Sequence, residues 1–242
     1  MIPRWVDAPP TLQRFAPGIT VVRDDLLEGG SKCRFLPFLV EGASEVVFGG
    51  PFCGGAPYAL SVLGRYSGQR VTLFYAKRAV LHPRQQRAQQ NGARLVFVSP
   101  GYMTNVQAKA RTYAQEAGAL FLPLGFDVPA AEDPFVAFMR KVRRKVGDPA
   151  EVWCCAGSGM LTRCLSRAFP ASAVHAVTVG LESRHSAQEF GPNVTLHPCG
   201  YRFEQEAKTT APFPSCGNYD RKAWEVMLRE ARGSVLFWNV LG

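Results

Sequence analysis

Seven short apolar runs recur along this chain of 242 residues, at 45–48, 71–75, 95–98, 120–122, 151–155, 174–179 and 235–238. Six segments with helical periodicity lie among them, at 56–66, 84–91, 105–117, 134–146, 160–168 and 221–231. Strands this apolar must be covered on both faces, and crossover helices supply the cover. The pattern therefore predicts an α/β fold with mostly parallel sheets. Asn91-Gly92 and Ala117-Gly118 read as helix stops, because glycine accepts the left-handed conformation that ends a helix. The stretch 207–214 reads as an irregular connection, and no internal repeat or low-complexity tract is visible.

Composition narrows the function classes. With 47% hydrophobic and 19% charged residues, the chain can bury a substantial core. No apolar run approaches a membrane span, and Met1-Ile2-Pro3-Arg4-Trp5 carries no apolar signal region, so no membrane partner is expected. Seven cysteines without a C-x-x-C pair argue against zinc-ribbon and thioredoxin chemistry, and a reducing cytoplasm is their natural setting. Cys154-Cys155, inside an apolar run, reads as core filler. The net charge is +9, which is unusual for an enzyme of free amino acids and attracts polyanions. Lys77-Arg78 with Arg84 and Arg87, Arg140-Lys141 with Arg143-Arg144-Lys145, and Arg163 with Arg167 carry much of it. Most of these clusters are expected to be solvated helix faces; the net excess keeps nucleic acid open as a partner.

Four segments carry candidate chemistry. In Arg23-Asp24-Asp25-Leu26-Leu27-Glu28-Gly29-Gly30-Ser31-Lys32-Cys33-Arg34, a glycine turn delivers Lys32 just before the apolar, helix-like run 35–40. Apolar surroundings lower a lysine's pKa and make its amine nucleophilic. In Val152–Thr162 an apolar strand enters Gly157-Ser158-Gly159 and then a helix, a geometry that aims backbone N–H groups at an anion. A tight connection without ligand has the same sequence. In Asn218-Tyr219-Asp220, either Asn218 or Asp220 reads as a helix N-cap. In Gly49-Gly50-Pro51-Phe52-Cys53-Gly54-Gly55, Cys53 stands near a helix N-terminus, where a thiolate is favoured. His82, His175, His185 and His197 lack metal-ligand spacing and read as structural or surface residues. Arg184-His185 follows the turn Gly180-Leu181-Glu182, which would carry it to a site rim.

In their order along the chain these segments resemble the motifs of the fold-type II pyridoxal-phosphate enzymes, in the branch of 1-aminocyclopropane-1-carboxylate deaminase and D-cysteine desulfhydrase. The resemblance implies two three-layer α/β domains, 1–42 with 126–242 and 43–125, holding the cofactor pyridoxal 5′-phosphate between them, and a homodimer. It implies that Lys32 forms the Schiff base, and that Gly157, Ser158 and Gly159, helped by Thr162, bind the phosphate. It makes Tyr219 a substrate-proximal acid/base and Asp220 the partner of the ring nitrogen. The branch's Ser-Asn pair is replaced by Cys53-Gly54, so Cys53 is a candidate for proton transfer and Gly54 for cofactor contact. Ser31 replaces an asparagine, and Asn239 in the closing strand replaces a histidine. The chain is shorter than usual between the glycine loop and Tyr219, which implies a more open site.

Three functions remain. One is a lyase-type enzyme acting at the α-carbon of an amino-acid group by elimination, deamination or decarboxylation, with the group carried on a hypermodified DNA base as in phage thymidine hypermodification. The second is a deaminase or desulfhydrase of a free small amino acid. The third is a non-catalytic basic α/β binding module, for which the replaced asparagine speaks.

Overall fold

The computed structural model describes residues 8–99, 101–126, 128–179 and 186–242; Arg184-His185 lies outside them. In chain order the elements are β1 (Leu12–Ala16), β2 (Ile19–Arg23), α1 (Leu36–Leu39), β3 (Glu45–Gly49), α2 (Gly55–Ser67), β4 (Arg70–Ala76), α3 (Pro83–Gln90), β5 (Arg94–Val98), α4 (Met103–Ala117) and β6 (Leu120–Leu122). They continue with α5 (Pro129–Val146), β7 (Glu151–Ala156), α6 (Met160–Ala168), β8 (Ala173–Thr178), β9 (Val194–Pro198), α7 (Asp220–Glu230) and β10 (Val235–Asn239). All the expected strands and helices are present. The α/β reading with parallel sheets holds.

The chain divides into two compact units, one of Met1–Ala8 with Lys32–Ala131, the other of Pro9–Ser31 with Glu132–Gly242. In the first unit a fully parallel sheet has the order β5-β4-β3-β6. Helix α4 covers the face that carries Val47 and Phe74, through Val106, Ala110 and Ala114. Helix α2 approaches the other face so closely at Gly64 that a Cβ there would stand 2.6 Å from the Val71 side chain.

In the second unit the order is β1-β2-β10-β7-β8-β9, parallel except for the β1–β2 hairpin. The period of two along β7 sorts its side chains. Trp153 and Cys155 pack under α7 with Ala223, Trp224 and Met227. Cys154 points the other way, toward Thr162 of α6. Phe135 and Phe138 of α5 meet the Trp238 ring edge-on, both at 6.2 Å. Helices thus cover both faces of the sheet. Cys154 and Cys155 are fully buried, as core filler should be. No disulfide joins the seven cysteines.

Two differences from the sequence reading have physical causes. Helix α5 starts at Pro129 and takes in Pro134, whose ring ordinarily breaks a helix interior. The added turn carries Glu132, which binds Arg163 at 2.9 Å and Arg167 at 3.0 Å, so tertiary ion pairs hold it. The hairpin β1–β2 was not anticipated, although Pro17-Gly18 between two runs is a turn signal; Gly18 adopts φ +81°.

A polar network sits under α7. Trp153 stacks on His175 at 4.4 Å, and its indole donates to Glu151 Oε2 at 2.6 Å. His175 and His197 share a 2.9 Å hydrogen bond, and Glu230 lies 2.8 Å from His197. Glu151 Oε1 accepts from the Arg232 and Gly233 amides. These histidines are structural. His82 is too, since it caps α3 by accepting from the Arg84 amide. Among the described residues no cluster of three or more His, Cys, Asp or Glu could hold a metal, and no helix is long and apolar enough to cross a membrane.

Candidate active site

The order of each sheet points to one end of it. In the second unit the chain runs outward from β7 to β8 and β9, then returns to the opposite side of β7 as β10. Ligands of doubly wound sheets bind beyond the carboxyl ends of the strands at such a reversal. Gly157-Ser158-Gly159 leaves β7 at that point. Gly159 has φ +86°, and a Cβ there would stand 2.0 Å from the Phe190 ring. A Cβ at Gly157 would stand 2.9 Å from the Tyr219 hydroxyl. Two aromatic rings therefore pack on the bare backbone of the turn, which is why both positions must be glycine.

The turn fits an anionic group such as a phosphate. No side chain caps α6, so the amides of its first turn and the positive end of its dipole face the end of the strand. Gly157 and Ser158 stay partly open between a buried strand and a largely buried helix. Thr162 is fully buried, with its hydroxyl 3.6 Å from Cys154 Sγ.

Tyr219 and Asp220 join the same reversal. Neither Asn218 nor Asp220 caps α7; Tyr219 is its N-cap, without a side-chain bond. Asn218 Oδ1 is 2.9 Å from the Cys216 thiol, which donates to it. Asp220 is fully buried and turned inward, with Oδ2 accepting from the Leu241 amide at 3.2 Å just past β10. The Tyr219 hydroxyl donates to Cys155 O at 3.4 Å, and the Gly157 amide bonds it in turn. Burial pushes the Tyr219 phenol well above its ordinary value, reinforced by Cys155 and Asp220, so it is a protonated donor at neutral pH. Asn239, at the carboxyl end of β10, is buried; its Nδ2 donates to Pro214 O, and its Oδ1 has no hydrogen-bond partner among the described residues. A buried oxygen of this kind favours a donor from a ligand or water.

The glycine turn before Lys32 is fastened to the end of β10. Gly30 adopts φ +73°, and a Cβ there would lie 2.3 Å from Val240 O. The Ser31 amide donates to Val240 O. Its hydroxyl donates to Asp24 Oδ2 at 2.7 Å and accepts from the Trp238 indole at 3.1 Å. Asp24 is thus a fastening residue, and Arg23 is another, making a bidentate pair with Asp25 at 2.8 Å. Lys32 is the next residue after Ser31, partly exposed, in the 3-10 turn Gly30–Arg34.

The first unit repeats the logic. Its chain runs outward from β3 to β4 and β5, then returns beyond β3 as β6. The segment carrying Cys53 and Gly54 leaves β3 at that reversal. Cys53 is buried, and its carbonyl accepts from Arg84 Nη1 at 2.6 Å. Gly54 is the extended N-cap of α2, and its amide donates to Pro51 O at 3.1 Å. Sequence reasoning missed the roles of Trp238, which holds Ser31, and of Phe190, which closes on Gly159. Neither has a local signal, because each acts through a contact distant in the chain.

No family model and no curated protein matches the sequence. Solved structures do match the fold. The chain superposes with TM-score 0.82 and 16% identity on an ACC deaminase homologue, covering 98% of this chain and 90% of that one. A hydrogen sulfide-producing enzyme from Fusobacterium nucleatum gives 0.73 and 10%, covering 100% and 97%. Threonine deaminase isoform 2 from Solanum lycopersicum gives 0.69 and 10%, covering 98% and 84%. The fold is that of the fold-type II pyridoxal-phosphate enzymes. The resemblance read from the motifs is thereby borne out as a fold.

Proposed function

We propose that the protein is a pyridoxal 5′-phosphate-dependent enzyme of lyase type that acts at the α-carbon of an amino-acid group. The observation that carries this is the coincidence of the glycine turn, Tyr219 and buried Asp220 at the reversal point of the second sheet. The fold shared with deaminases and other enzymes of amino-acid metabolism supports it. When bound, the cofactor supplies an electron sink for the bond that breaks.

The chain's own residues take the remaining roles. Lys32 Nζ holds the cofactor and exchanges the proton at the α-carbon. The Ser158 and Gly159 amides and the Ser158 hydroxyl hold the phosphate, Gly157 shapes the turn with its own amide on Tyr219, and Thr162 fixes the start of α6 from within. The Asp220 carboxylate keeps the ring nitrogen protonated. Tyr219 Oη, protonated at neutral pH, donates to the departing or reprotonated group. Cys53 is a further candidate for proton transfer, and Gly54 for contact with the cofactor.

The basic composition favours an amino-acid group carried on a modified DNA base over a free amino acid. The test is the visible absorption of the protein mixed with cofactor, then borohydride reduction and peptide mass mapping. A yellow protein with the cofactor fixed on Lys32 is expected. A colourless protein with unmodified Lys32 would overturn the reading and leave a basic binding module.

A further inference from the structure

The chain's positive charge is not spread over it. Residues 32–131 hold eleven Lys and Arg against four Asp and Glu, which places +7 of the net +9 in one unit. From 46 to 115, seventy consecutive residues contain nine Lys and Arg and no acidic residue. At the chain's average frequency, five or six acids would fall there. In the second unit sixteen Lys and Arg stand against fourteen Asp and Glu, with ion pairs of Arg23 with Asp25, Arg143 with Asp148, Arg163 and Arg167 with Glu132, and Arg221 with Glu206. A surface from which acids are missing over so long a stretch is suited to a polyanion.

The carboxyl-end rim of the first sheet adds stacking groups to that charge. The Lys77 amide donates to Val98 O, which ties the ends of β4 and β5 together. Gly101 packs on Ala76 there, and the next residue, Tyr102, is 74% exposed. The Arg78 guanidinium lies 3.7 Å over the Phe52 ring, which meets His82 edge-on. Phe52 directly precedes Cys53. Helix α3 then turns Gln86, Arg87, Gln89 and Gln90 outward, with no acid among them. Cations beside an exposed tyrosine and an arginine-stacked phenylalanine suit phosphates alternating with flat bases. An anionic lipid surface would use the same charge, yet it would not call for an amide-rich helix.

We propose that this rim, built on Lys77, Arg78, Phe52 and Tyr102 and continued along the exposed face of α3 by Arg87, holds the backbone of a single DNA strand beside the Cys53 loop. The inference rests on the reading of a DNA-borne substrate. It names the surface that would present that substrate, since a base must leave its stack to be worked on.

The experiment uses the full chain loaded with cofactor and a labelled single-stranded oligonucleotide, with anisotropy read between about 50 and 300 mM salt. In the triple variant Lys77→Ser/Arg78→Ser/Arg87→Ser, affinity should fall roughly 10- to 100-fold and the salt slope by about 2, at about 0.7 per lost phosphate contact. The charge-matched control Arg140→Ser/Arg144→Ser/Lys145→Ser, on exposed positions of α5, should bind as the unsubstituted chain does. The cofactor band on Lys32 should be the same in all three. Equal losses in both triples would overturn the surface, as would vesicles of anionic phospholipid binding where the oligonucleotide does not. No salt-dependent DNA binding with the band intact would overturn this inference and leave the lyase reading standing. A missing band in the unsubstituted chain would remove the lyase reading, whatever the anisotropy shows.

Discussion

Gly159→Ala is the sharpest test of how the glycine turn is built, because the structure separates two costs. The first is conformational: at φ +86° an alanine is held in the left-handed region, at about 1–2 kcal/mol. The second is steric. The new Cβ would lie 2.0 Å from Phe190 Cε1 and 2.8 Å from two further ring atoms. Ordinary contact begins near 3.4 Å, so the ring must retreat by about 1.4 Å from a site where it is almost fully buried. Overpacking of this kind costs about 1–3 kcal/mol. The single variant should therefore lose roughly 2–5 kcal/mol in urea unfolding followed by circular dichroism. Phe190→Ala alone opens a cavity and should cost about 3–5 kcal/mol. In the double variant the clash is gone, so the combined loss should fall short of the sum by about 1–3 kcal/mol. Strict additivity would refute the claim that Phe190 imposes glycine at 159. A loss below about 0.5 kcal/mol in the single variant would refute the left-handed conformation as well.

Ser31→Ala should destabilise by roughly 2–4 kcal/mol, since it strands the Trp238 indole and removes a hydroxyl donor from buried Asp24; urea unfolding measures it, and a loss under about 0.5 kcal/mol would show that the turn is held otherwise. Tyr219→Phe should leave the cofactor band unchanged and lower turnover by roughly 10²–10⁴-fold, the range of a lost general acid; unchanged turnover would free Tyr219 of that role. Burial, then repulsion from His197, holds the His175 pKa below its ordinary 6.5 against the pull of Glu151 and Glu230. The unfolded chain then takes up a proton near pH 6.5 that the folded chain refuses, so stability should fall as pH drops below that value. His175→Gln should flatten the slope between about pH 7 and 5.5. For Glu151, burial raises the pKa, but the Trp153 indole and the Arg232 and Gly233 amides outweigh it and hold it low. Its contribution is present above about pH 4.5 and is lost as pH falls through its lowered value. An unchanged slope in His175→Gln would remove His175 from the acid response.

The chain displayed its architecture where local periodicity and tertiary demand agree. β7 is apolar at every position except Glu151 because helices cover both its faces, and that made it legible as a run. β1, by contrast, pairs on one side only and is partly exposed, so its apolar content is too low to stand out. Asn218 and Asp220 have the chemistry of helix caps, yet neither caps α7. The Leu241 amide bonds the Asp220 carboxylate, and a bond to a charged group, at about 1.5–3 kcal/mol, matches or exceeds the about 1 kcal/mol typical of a cap. A local rule broken at a buried carboxylate supports the role proposed for Asp220.

Sheet order supplies what motif reading could not. The Gly157 turn and the Cys53 loop were singled out by separate and individually weak signals. Each proves to leave the strand at which its own sheet reverses direction, β7 in one unit and β3 in the other. A reversal separates the two neighbouring connections and leaves a crevice at the carboxyl ends of the strands, so a loop there is reachable by a ligand while its strand stays buried. Both units put glycines at that point. Phe52, under Arg78, is the residue before Cys53, so in the proposed reading a strand held on the acid-free rim of the first unit would be presented to that loop.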